Sequence, residues 1–377
     1  MRTATLIIGV LLILLIAQDG FETIILPRRV SRKFRLTRIF YGLTWLLWSA
    51  LGRRIHRGNR REQYLSYYGP LSLILLLAVW ATIFVLGFAF VQWGLSAPLR
   101  VPENQLTFGS YIYFSGTTFF TLGLGDITPE IGISRLLVVA EAGIGFAFLA
   151  LIIGYVPIIY QAFSRREINI ALLDARAGSP PTATELLKRH AQRQACDELI
   201  SFLHDWERWC SELLESHLSY PVLTYYRSQH ERQSWLGALT TLLDSCAIIL
   251  VGVDAIPAKT AKFTFAIARH VAVDLAQTYG SPPTLKVNRL SSREFLHLQT
   301  VLASHGLAFS DSATAEKRLA DIRALYEPFL ASLADHLLMT LPGWIPEADQ
   351  VDDWQTSAWD HFLDSSPRTV DHATRSS

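Results

Sequence analysis

A glycine-containing loop between two apolar runs is the feature that most constrains how this chain can fold. The loop occupies residues 115–126 and reads SGTTFFTLGLGD. The uncharged run before it extends from Leu71 to Val91, and the run after it extends from Leu136 to Ile159 with one acidic residue, Glu141. Irregular backbone at membrane depth is tolerated only where protein or water surrounds it. The order therefore predicts two spanning helices with a re-entrant loop between them.

The loop resembles the pore helix and selectivity filter of potassium channels, whose core reads TVGYGD. In such a filter, rings of backbone carbonyls replace the hydration shell of the ion. Alignment of successive carbonyls needs unusual φ and ψ at alternate residues, and Gly123 and Gly125 can adopt positive φ without a Cβ clash. The resemblance implies that potassium binds at Thr121, Leu122, Gly123 and Leu124, with Gly125 completing the filter. A glycine turn in a soluble loop is the alternative, and the flanking apolar runs disfavour it.

The residues around the filter have expected roles of their own. Leu106 to Phe120 is predicted to form the pore helix, with Thr118 as filter support and Asp126 at the outer mouth, where a carboxylate attracts cations. Gly145 lies where the family has its proposed gating hinge, although glycine in membrane helices also allows close packing. Pro157 removes a helix hydrogen bond near the cytoplasmic end and is a second gating candidate.

Glu141 is a functional candidate because a carboxyl group inside a membrane span is costly, and it is a third gating candidate beside Gly145 and Pro157. Three roles are open for it at the level of the sequence. It can brace the filter from behind, line the cavity, or accept a hydrogen bond from a neighbouring chain.

The resemblance covers residues 67–163, about a quarter of the chain, and two departures bear on selectivity. Leu124 replaces the filter tyrosine, and Phe120 replaces the threonine that commonly precedes the filter threonine. Neither change removes a carbonyl from the ion path, but both put the stiffness of the filter in doubt. Each chain has one filter sequence and each carbonyl ring needs four, so the resemblance implies a homotetramer.

Charge placement predicts the orientation in the membrane. Eleven Lys or Arg residues and no acidic residue lie between Arg28 and Arg61, whereas Arg100 is the only basic residue between Gly69 and Ser134. The positive-inside rule then puts the basic segment and Arg165 and Arg166 in the cytoplasm and the filter outside, as expected in a plasma membrane. A net charge of +1 and a hydrophobic share of 50% predict no nucleic-acid partner.

The first 66 residues are predicted to form two parts. Residues 1–27 contain the apolar stretch Thr3 to Ala17, which we expect to be a spanning helix rather than a cleaved signal peptide, with Asp19 and Glu22 opposing a longer helix. Residues 28–66 are predicted to form a basic interfacial segment that binds anionic lipid, with Trp45 and Trp48 at headgroup depth. The arginines at 29, 32, 35 and 38 resemble those of a voltage sensor. A sensor helix needs three spans before it, however, and the residues that precede this segment are too few to form them.

Residues 164–363 are predicted to form a helical cytoplasmic domain, followed by a disordered tail at 364–377. Expected helices run from Thr182 or Thr184 to His217, from Ser234 to Ile256, from Lys259 to Tyr279, from Ser291 to His305 and from Thr314 to Leu341. Cys196, Cys210 and Cys246 are expected to be reduced thiols, and the histidines, such as His190, His204 and His217, to be scattered on the surface. No cofactor motif and no nucleophile constellation appears, so the sequence predicts neither a regulatory ligand nor an enzyme.

Together these features predict an all-α, homotetrameric membrane protein that conducts potassium passively and is gated by its inner helix, with a helical cytoplasmic domain that regulates or assembles it. Two alternatives are open. A weakly selective cation channel would follow from Leu124 and Phe120. A non-conducting membrane receptor or scaffold would keep the pore-like core without ion flux.

Overall fold

The computed structural model describes residues 2–26, 35–56, 58–101, 106–191, 196–229, 232–254, 256–280, 282–283 and 288–346. The predicted tail at 364–377 lies outside these described residues. So do five of the eleven basic residues counted above: Arg28, Arg29, Arg32, Lys33 and Arg57. The chain forms two compact units. The first contains Met1–Ser164 and Glu215–Arg227, and the second contains Arg165–Leu214 and Ser228–Ser377. Residues 215–227 thus pack in the first unit, although the sequence analysis assigns them to the C-terminal domain.

The first unit is built from helices and one short strand pair. Helices α1 (Arg2–Gly20), α2 (Leu36–Gly52), α3 (Asn59–Ser66), α4 (Tyr68–Gly94), α5 (Phe108–Phe119) and α6 (Gly132–Ala177) follow one another, with β1 (Leu99–Arg100) antiparallel to β2 (Thr128–Pro129). Among the described residues, three stretches are long and apolar enough to cross a membrane: Arg2–Ile25, Asn59–Gly94 and Gly132–Ala177. The predicted all-α membrane fold is confirmed.

Helix α1 packs closely along α4 because glycines remove the side chains between the two backbones. A Cβ placed on Gly9 would lie 2.6 Å from the carbonyl oxygen of Gly87, and one placed on Gly94 would lie 2.6 Å from the amide nitrogen of Leu6. Small residues allow this approach in membranes, where van der Waals packing replaces hydrophobic burial as the driving force.

Helix α1 extends beyond Ala17, where the sequence analysis expected the apolar helix to end, and continues as a π-helical turn at Phe21–Ile25. Asp19, which was expected to oppose a longer helix, is buried and fully engaged. It accepts hydrogen bonds from the Trp80 indole at 3.0 Å and from the Thr37 hydroxyl at 2.5 Å. These neutral donors compensate the carboxyl group for lost water.

Helix α2 has two different faces. Its aromatic face is buried, and Trp45 on this face packs against Tyr68 at 4.8 Å and Tyr225 at 4.9 Å between ring centroids. Trp45 is therefore packed among protein side chains, whereas the sequence predicts only that it lies at headgroup depth. The opposite face is apolar and exposed, with side chains from Leu43, Leu46, Leu47 and Leu51.

The second unit is helical. After the end of α6 it contains α7 (Ala183–Arg189), α8 (Cys196–Ser219, whose last residues belong to the first unit), α9 (Trp235–Val251), α10 (Ala261–Thr278), α11 (Ser292–Ser304), α12 (Ser312–Arg323) and α13 (Glu327–Leu337). Helix α9 forms the core, since its described side chains from Trp235 to Ile249 are all buried.

Two helices expected from the sequence are each divided. The stretch from Thr182 to His217 forms α7 and α8, and the stretch from Thr314 to Leu341 forms α12 and α13. Pro328 explains the second division, because proline fits the first turn of a new helix but breaks a helix interior.

Candidate functional site

The pore helix α5 has a defined cap at each end. At its start, the Thr107 hydroxyl accepts a hydrogen bond from the Ser110 amide, and the Thr107 amide donates one to the Ser110 hydroxyl oxygen. At its end, the Leu122 amide donates to the Thr117 carbonyl at 2.8 Å and the Thr121 amide donates to the Thr118 carbonyl at 3.0 Å. This pair of bonds is a Schellman motif, which requires a left-handed residue at position 121.

The filter loop has positive φ at every second residue. Thr121 has φ of 56°, Gly123 of 58° and Gly125 of 80°. A Cβ on Gly123 or Gly125 would meet no atom within 4 Å, so backbone conformation and not crowding requires glycine at these positions. Thr121 is β-branched, and such a residue rarely adopts positive φ. The Schellman bonds hold it there.

The side chains of the loop point away from the rest of the chain. Leu122 is 61% exposed, Leu124 is 62% exposed and the neighbouring Phe120 is 56% exposed. Contiguous exposed apolar groups of this kind indicate a surface that another molecule covers.

The end of the loop at Asp126 is tied to helix α5 by a hydrogen bond that the sequence does not reveal. The Tyr113 hydroxyl donates to the Asp126 carboxylate at 2.8 Å. The loop after Asp126 is held in turn by the strand pair, in which Leu99 faces Pro129 and Arg100 faces Thr128. These contacts fix the end of the filter that lies farther from the pore helix.

Glu141 on the inner helix α6 joins three helices behind the loop. The side chain is fully buried. It accepts a hydrogen bond from the Gln92 amide of α4 at 2.8 Å and contacts the hydroxyl of Ser115 on α5. Ser115 also lies 2.8 Å from the carbonyl oxygen of Val85. Within one chain, then, Glu141 bonds to the pore helix and the outer helix.

Gly145 lies one helical turn below Glu141, where α6 passes under the end of the pore helix. A Cβ at this position would lie 1.9 Å from the Phe119 carbonyl oxygen. No side chain fits into this gap, so glycine here allows the two helices to approach. Phe148 extends the contact, with its ring 5.7 Å from that of Phe119. Helix α6 continues through Pro157 without a break.

Sequence reasoning identified the loop, Thr118 and Glu141 but not the hydrogen bonds around them. The bonds made by Gln92, Tyr113 and Ser115 were missed because each is an ordinary polar residue whose partner lies 13 to 49 positions away in the chain. A usable signal was present for two of them, since Gln92 and Ser115 are polar residues beside apolar runs, where a buried polar group must find a partner.

The other candidate chemical groups do not converge. Cys210 and Cys246 are buried and free, and burial raises the pKa of both thiols, which keeps them neutral and unreactive. His190 and His217 are buried, against the expectation of surface histidines, and the His190 Nδ1 lies 2.8 Å from the Leu186 carbonyl oxygen. Among the described residues, no three His, Cys, Asp or Glu side chains are grouped as a metal site would need.

Comparisons with known proteins point to the same module. A family profile described as "Ion channel" matches residues 72–162. The "Protein LctB" of Geobacillus stearothermophilus is 30% identical over 128 residues, which are 31% of this chain and 87% of that protein. The chain belongs to the ion channel family. The matched range begins in α4 and ends in α6, so the channel domain contains the outer helix, the pore helix, the loop and the inner helix.

A second relative has a lower sequence identity. The "Uncharacterized membrane protein YdjJ" of Bacillus subtilis (strain 168) is 24% identical over 193 residues, which are 50% of this chain and 55% of that protein. The match thus spans about half the length of that relative. No solved structure matches the chain significantly.

Proposed function

We propose that four copies of this chain form a potassium-selective channel, with the carbonyl groups of Thr121, Leu122, Gly123 and Leu124 and the backbone of Gly125 lining the ion path. The observation that carries the proposal is the positive φ at residues 121, 123 and 125. Alternation of left-handed and ordinary residues turns successive carbonyls toward one side of the strand. A bare potassium ion between four such strands exchanges its water for protein oxygens.

The exposed loop supports the tetramer. Phe120, Leu122 and Leu124 are each more than half exposed in the single chain, at the point where the four copies would meet. The inner helix supports it too, because Leu136, Val139, Phe146 and Ile153 are each at least 65% exposed. Some of these side chains face lipid, and the others pack against neighbouring copies.

Membrane orientation follows from charge. The filter faces the outside of the plasma membrane, and the second unit lies in the cytoplasm, where the positive-inside rule puts the basic segment. The exposed leucines of α2 and the exposed Arg38, Arg53 and Arg54 support contact of this helix with anionic lipid.

Gating is assigned to the inner helix. Pro157 is the candidate for bending, because it removes a hydrogen bond in the cytoplasmic half of α6. Gly145 holds the upper half of the helix against the pore helix by its close contact with Phe119. A change at Pro157 can therefore open the cytoplasmic end while the filter stays in place.

A weakly selective cation channel is the second candidate. Leu124 has no hydroxyl with which to tie the filter to the pore helix. The bond from Tyr113 to Asp126 offsets this loss at the outer mouth and favours potassium selectivity.

Potassium flux from liposomes that contain the purified full-length protein tests the proposal. We expect flux well above that of empty liposomes, and we expect Gly123→Ala to abolish it because alanine disfavours a φ of 58°. Gly154→Ala is the matched control, since a Cβ there meets no atom within 4 Å. Flux no greater than that of empty liposomes would refute conduction, and equal flux of potassium and sodium would favour the second candidate.

A further inference from the structure

The inner helix has one buried stripe with two kinds of neighbour. Between residues 141 and 164, the fully buried positions of α6 are Glu141, Gly145, Tyr155, Ile159 and Phe163. Their spacing puts all five on one face of a helix with 3.6 residues per turn. The upper two meet the pore helix, as described above. The lower ones flank Pro157, and their neighbours come from far along the sequence.

The neighbours of the lower stripe lie in a stretch that follows α8. The Tyr155 ring is 5.8 Å from the Tyr220 ring, and the Phe163 ring is 5.5 Å from the Tyr226 ring. We call Tyr220–Arg227 the docking segment. Its middle is a 3-10 helix, Pro221–Tyr225, in which Val222, Leu223, Thr224 and Tyr225 are all buried.

The same docking segment is anchored to the outer helix and to α2. The Tyr225 ring lies 5.1 Å from that of Tyr68 and 5.9 Å from that of Tyr41. A Cβ on Gly69 would lie 2.6 Å from the Tyr226 ring, so the segment is seated directly on the α4 backbone.

An ion pair closes the end of the segment. The Arg227 guanidinium lies 3.4 Å from the Glu62 carboxylate of α3, and the arginine side chain is 7% exposed. Separation of the buried arginine from its partner would destabilise the fold, so the ion pair favours one position for this end of the segment.

The docking segment is connected at both ends to the second unit. Both flanking stretches, up to Leu214 and from Ser228 onward, belong to the second unit, whereas residues 215–227 belong to the first. A displacement of either flank is thus transmitted through the backbone to the rings that touch Tyr155 and Phe163. Those two residues lie on either side of Pro157, where the helix lacks a hydrogen bond.

We propose that the docking segment Tyr220–Arg227 is a latch through which the C-terminal helices control the cytoplasmic half of the inner helix. Docked, it holds Tyr155 and Phe163 against the outer helix. Released, it frees the part of α6 around Pro157 to move and changes the open probability. The filter is unaffected, because the pore helix meets α6 at Glu141, Gly145 and Phe148, all of which precede Tyr155. The latch rests on the proposed channel function, since it presumes a pore to gate.

Single-channel recording of the full-length protein in planar bilayers tests the latch. Gly69→Ala pushes a Cβ into the Tyr226 ring and is expected to change the open probability about fivefold or more, the lower end of typical coupling between sites. Unitary conductance and the potassium-to-sodium permeability ratio are expected to stay unchanged. Gly42→Ala on the exposed face of α2 is the matched control, because its Cβ meets nothing within 4 Å.

Tyr155→Ala, Tyr220→Ala and the double variant form a second test. If the two rings act through each other, the double variant changes the open probability no more than either single variant, which is the non-additivity expected of contacting residues. Additive changes, or an open probability that Gly69→Ala and Tyr220→Ala leave at the wild-type value, would overturn the latch.

A separate readout covers the case in which the wild-type protein carries no current. Proposed conduction would then have failed, but the latch can still be measured by amide hydrogen exchange. Gly69→Ala is expected to speed exchange in residues 155–163 and to leave residues 141–149 unchanged. Unchanged exchange in both stretches would overturn the latch independently of the channel function.

Discussion

Two fully buried carboxyl groups, one in each unit, are held in different ways. Glu141 lies in the first unit, which contains the apolar spanning helices and is called the membrane unit below. It contacts the side chains of Gln92 and Ser115, which are both neutral. Asp244 in the second unit accepts two hydrogen bonds from the Arg289 guanidinium, at 2.8 and 3.2 Å, and a third from the Tyr326 hydroxyl at 2.6 Å. The ionic contacts continue from Arg289 to Glu327 and from Glu327 to Arg323.

The difference shows how each region can move. Neutral hydrogen bonds and a glycine contact keep the pore helix in position without charges that must stay paired. The second unit instead has an ionic network at its core, in which loss of one partner leaves another charge buried. We therefore expect the second unit to act as a rigid body and the lower inner helix to be the part that rearranges.

The largest effect is expected from Asp244→Asn. This variant removes the closest countercharge of Arg289 and should destabilise the second unit by roughly 3 kcal/mol, the low end for a broken buried ion pair. Hydrogen exchange of the α9 amides measures the change in the free energy of unfolding. The matched variant in the membrane unit is Glu141→Gln. An equal cost for the two substitutions would break the contrast between the units.

Gly145→Ala should have the next largest effect, and it should act on conduction. The added methyl group would lie 1.9 Å from the Phe119 carbonyl oxygen, so the inner and pore helices must separate. Overpacking of this kind costs about 1–3 kcal/mol and should lower potassium flux about tenfold or more. Gly154→Ala on the same helix is the control. Normal flux in Gly145→Ala would show that the close contact does not hold the pore helix.

Glu141→Ala and Glu141→Gln sharpen the account of the membrane carboxyl group. Alanine leaves the Gln92 amide without this acceptor, at a cost of about 1–3 kcal/mol, whereas the glutamine carbonyl can still accept a hydrogen bond. We expect the alanine variant to lose potassium-over-sodium selectivity in flux assays and the glutamine variant to retain most of it. Loss of selectivity in both variants would mean that the carboxyl group itself is required, and full selectivity in the alanine variant would contradict a role for the hydrogen bonds.

These variants also show what the sequence could and could not predict. The spans, the loop and the position of Gly145 were readable because hydrophobic runs and glycines are local signals. The pairing of Asp19 with Trp80 could not be read, because it depends on how α1 lies against α4, and it explains why α1 runs past Ala17. The packing of Tyr225 against Tyr41, Trp45 and Tyr68 could not be predicted either, because these residues are more than 150 positions away in the sequence.

Tyr113→Phe should have a smaller effect that is confined to the outer mouth. It removes the hydrogen bond to Asp126 and leaves the ring in place. We expect the protein to keep its stability and its flux while the potassium-to-sodium permeability ratio falls. Tyr111→Phe is a useful comparison, because it removes a bond from the same helix to the Ala97 carbonyl instead. An unchanged permeability ratio in Tyr113→Phe would show that selectivity does not depend on the hydrogen bond between Tyr113 and Asp126.

The smallest effect is expected at a helix cap in the second unit. Hydrogen bonds from the backbone and side chain of Ser291 lower the pKa of Glu294 below its usual 4.5. A lowered pKa in the folded state means that this carboxylate stabilises the fold above its ordinary pKa and that the contribution is lost as the pH falls through the lowered value. The stability difference between wild type and Glu294→Gln, from thermal unfolding, should therefore shrink as the pH falls below 4.5. A stability difference that does not change with pH would show that the hydrogen bonds from Ser291 do not stabilise the ionised Glu294.

The reversal potential of the purified channel in planar bilayers, with potassium on one side and sodium on the other, measures whether the loop selects potassium. If four loops present the carbonyls of residues 121–124 to the ion, the reversal potential should move close to the potassium equilibrium potential. It should also collapse toward zero in any Gly123→Ala channels that still conduct. A wild-type reversal potential near zero would contradict the account.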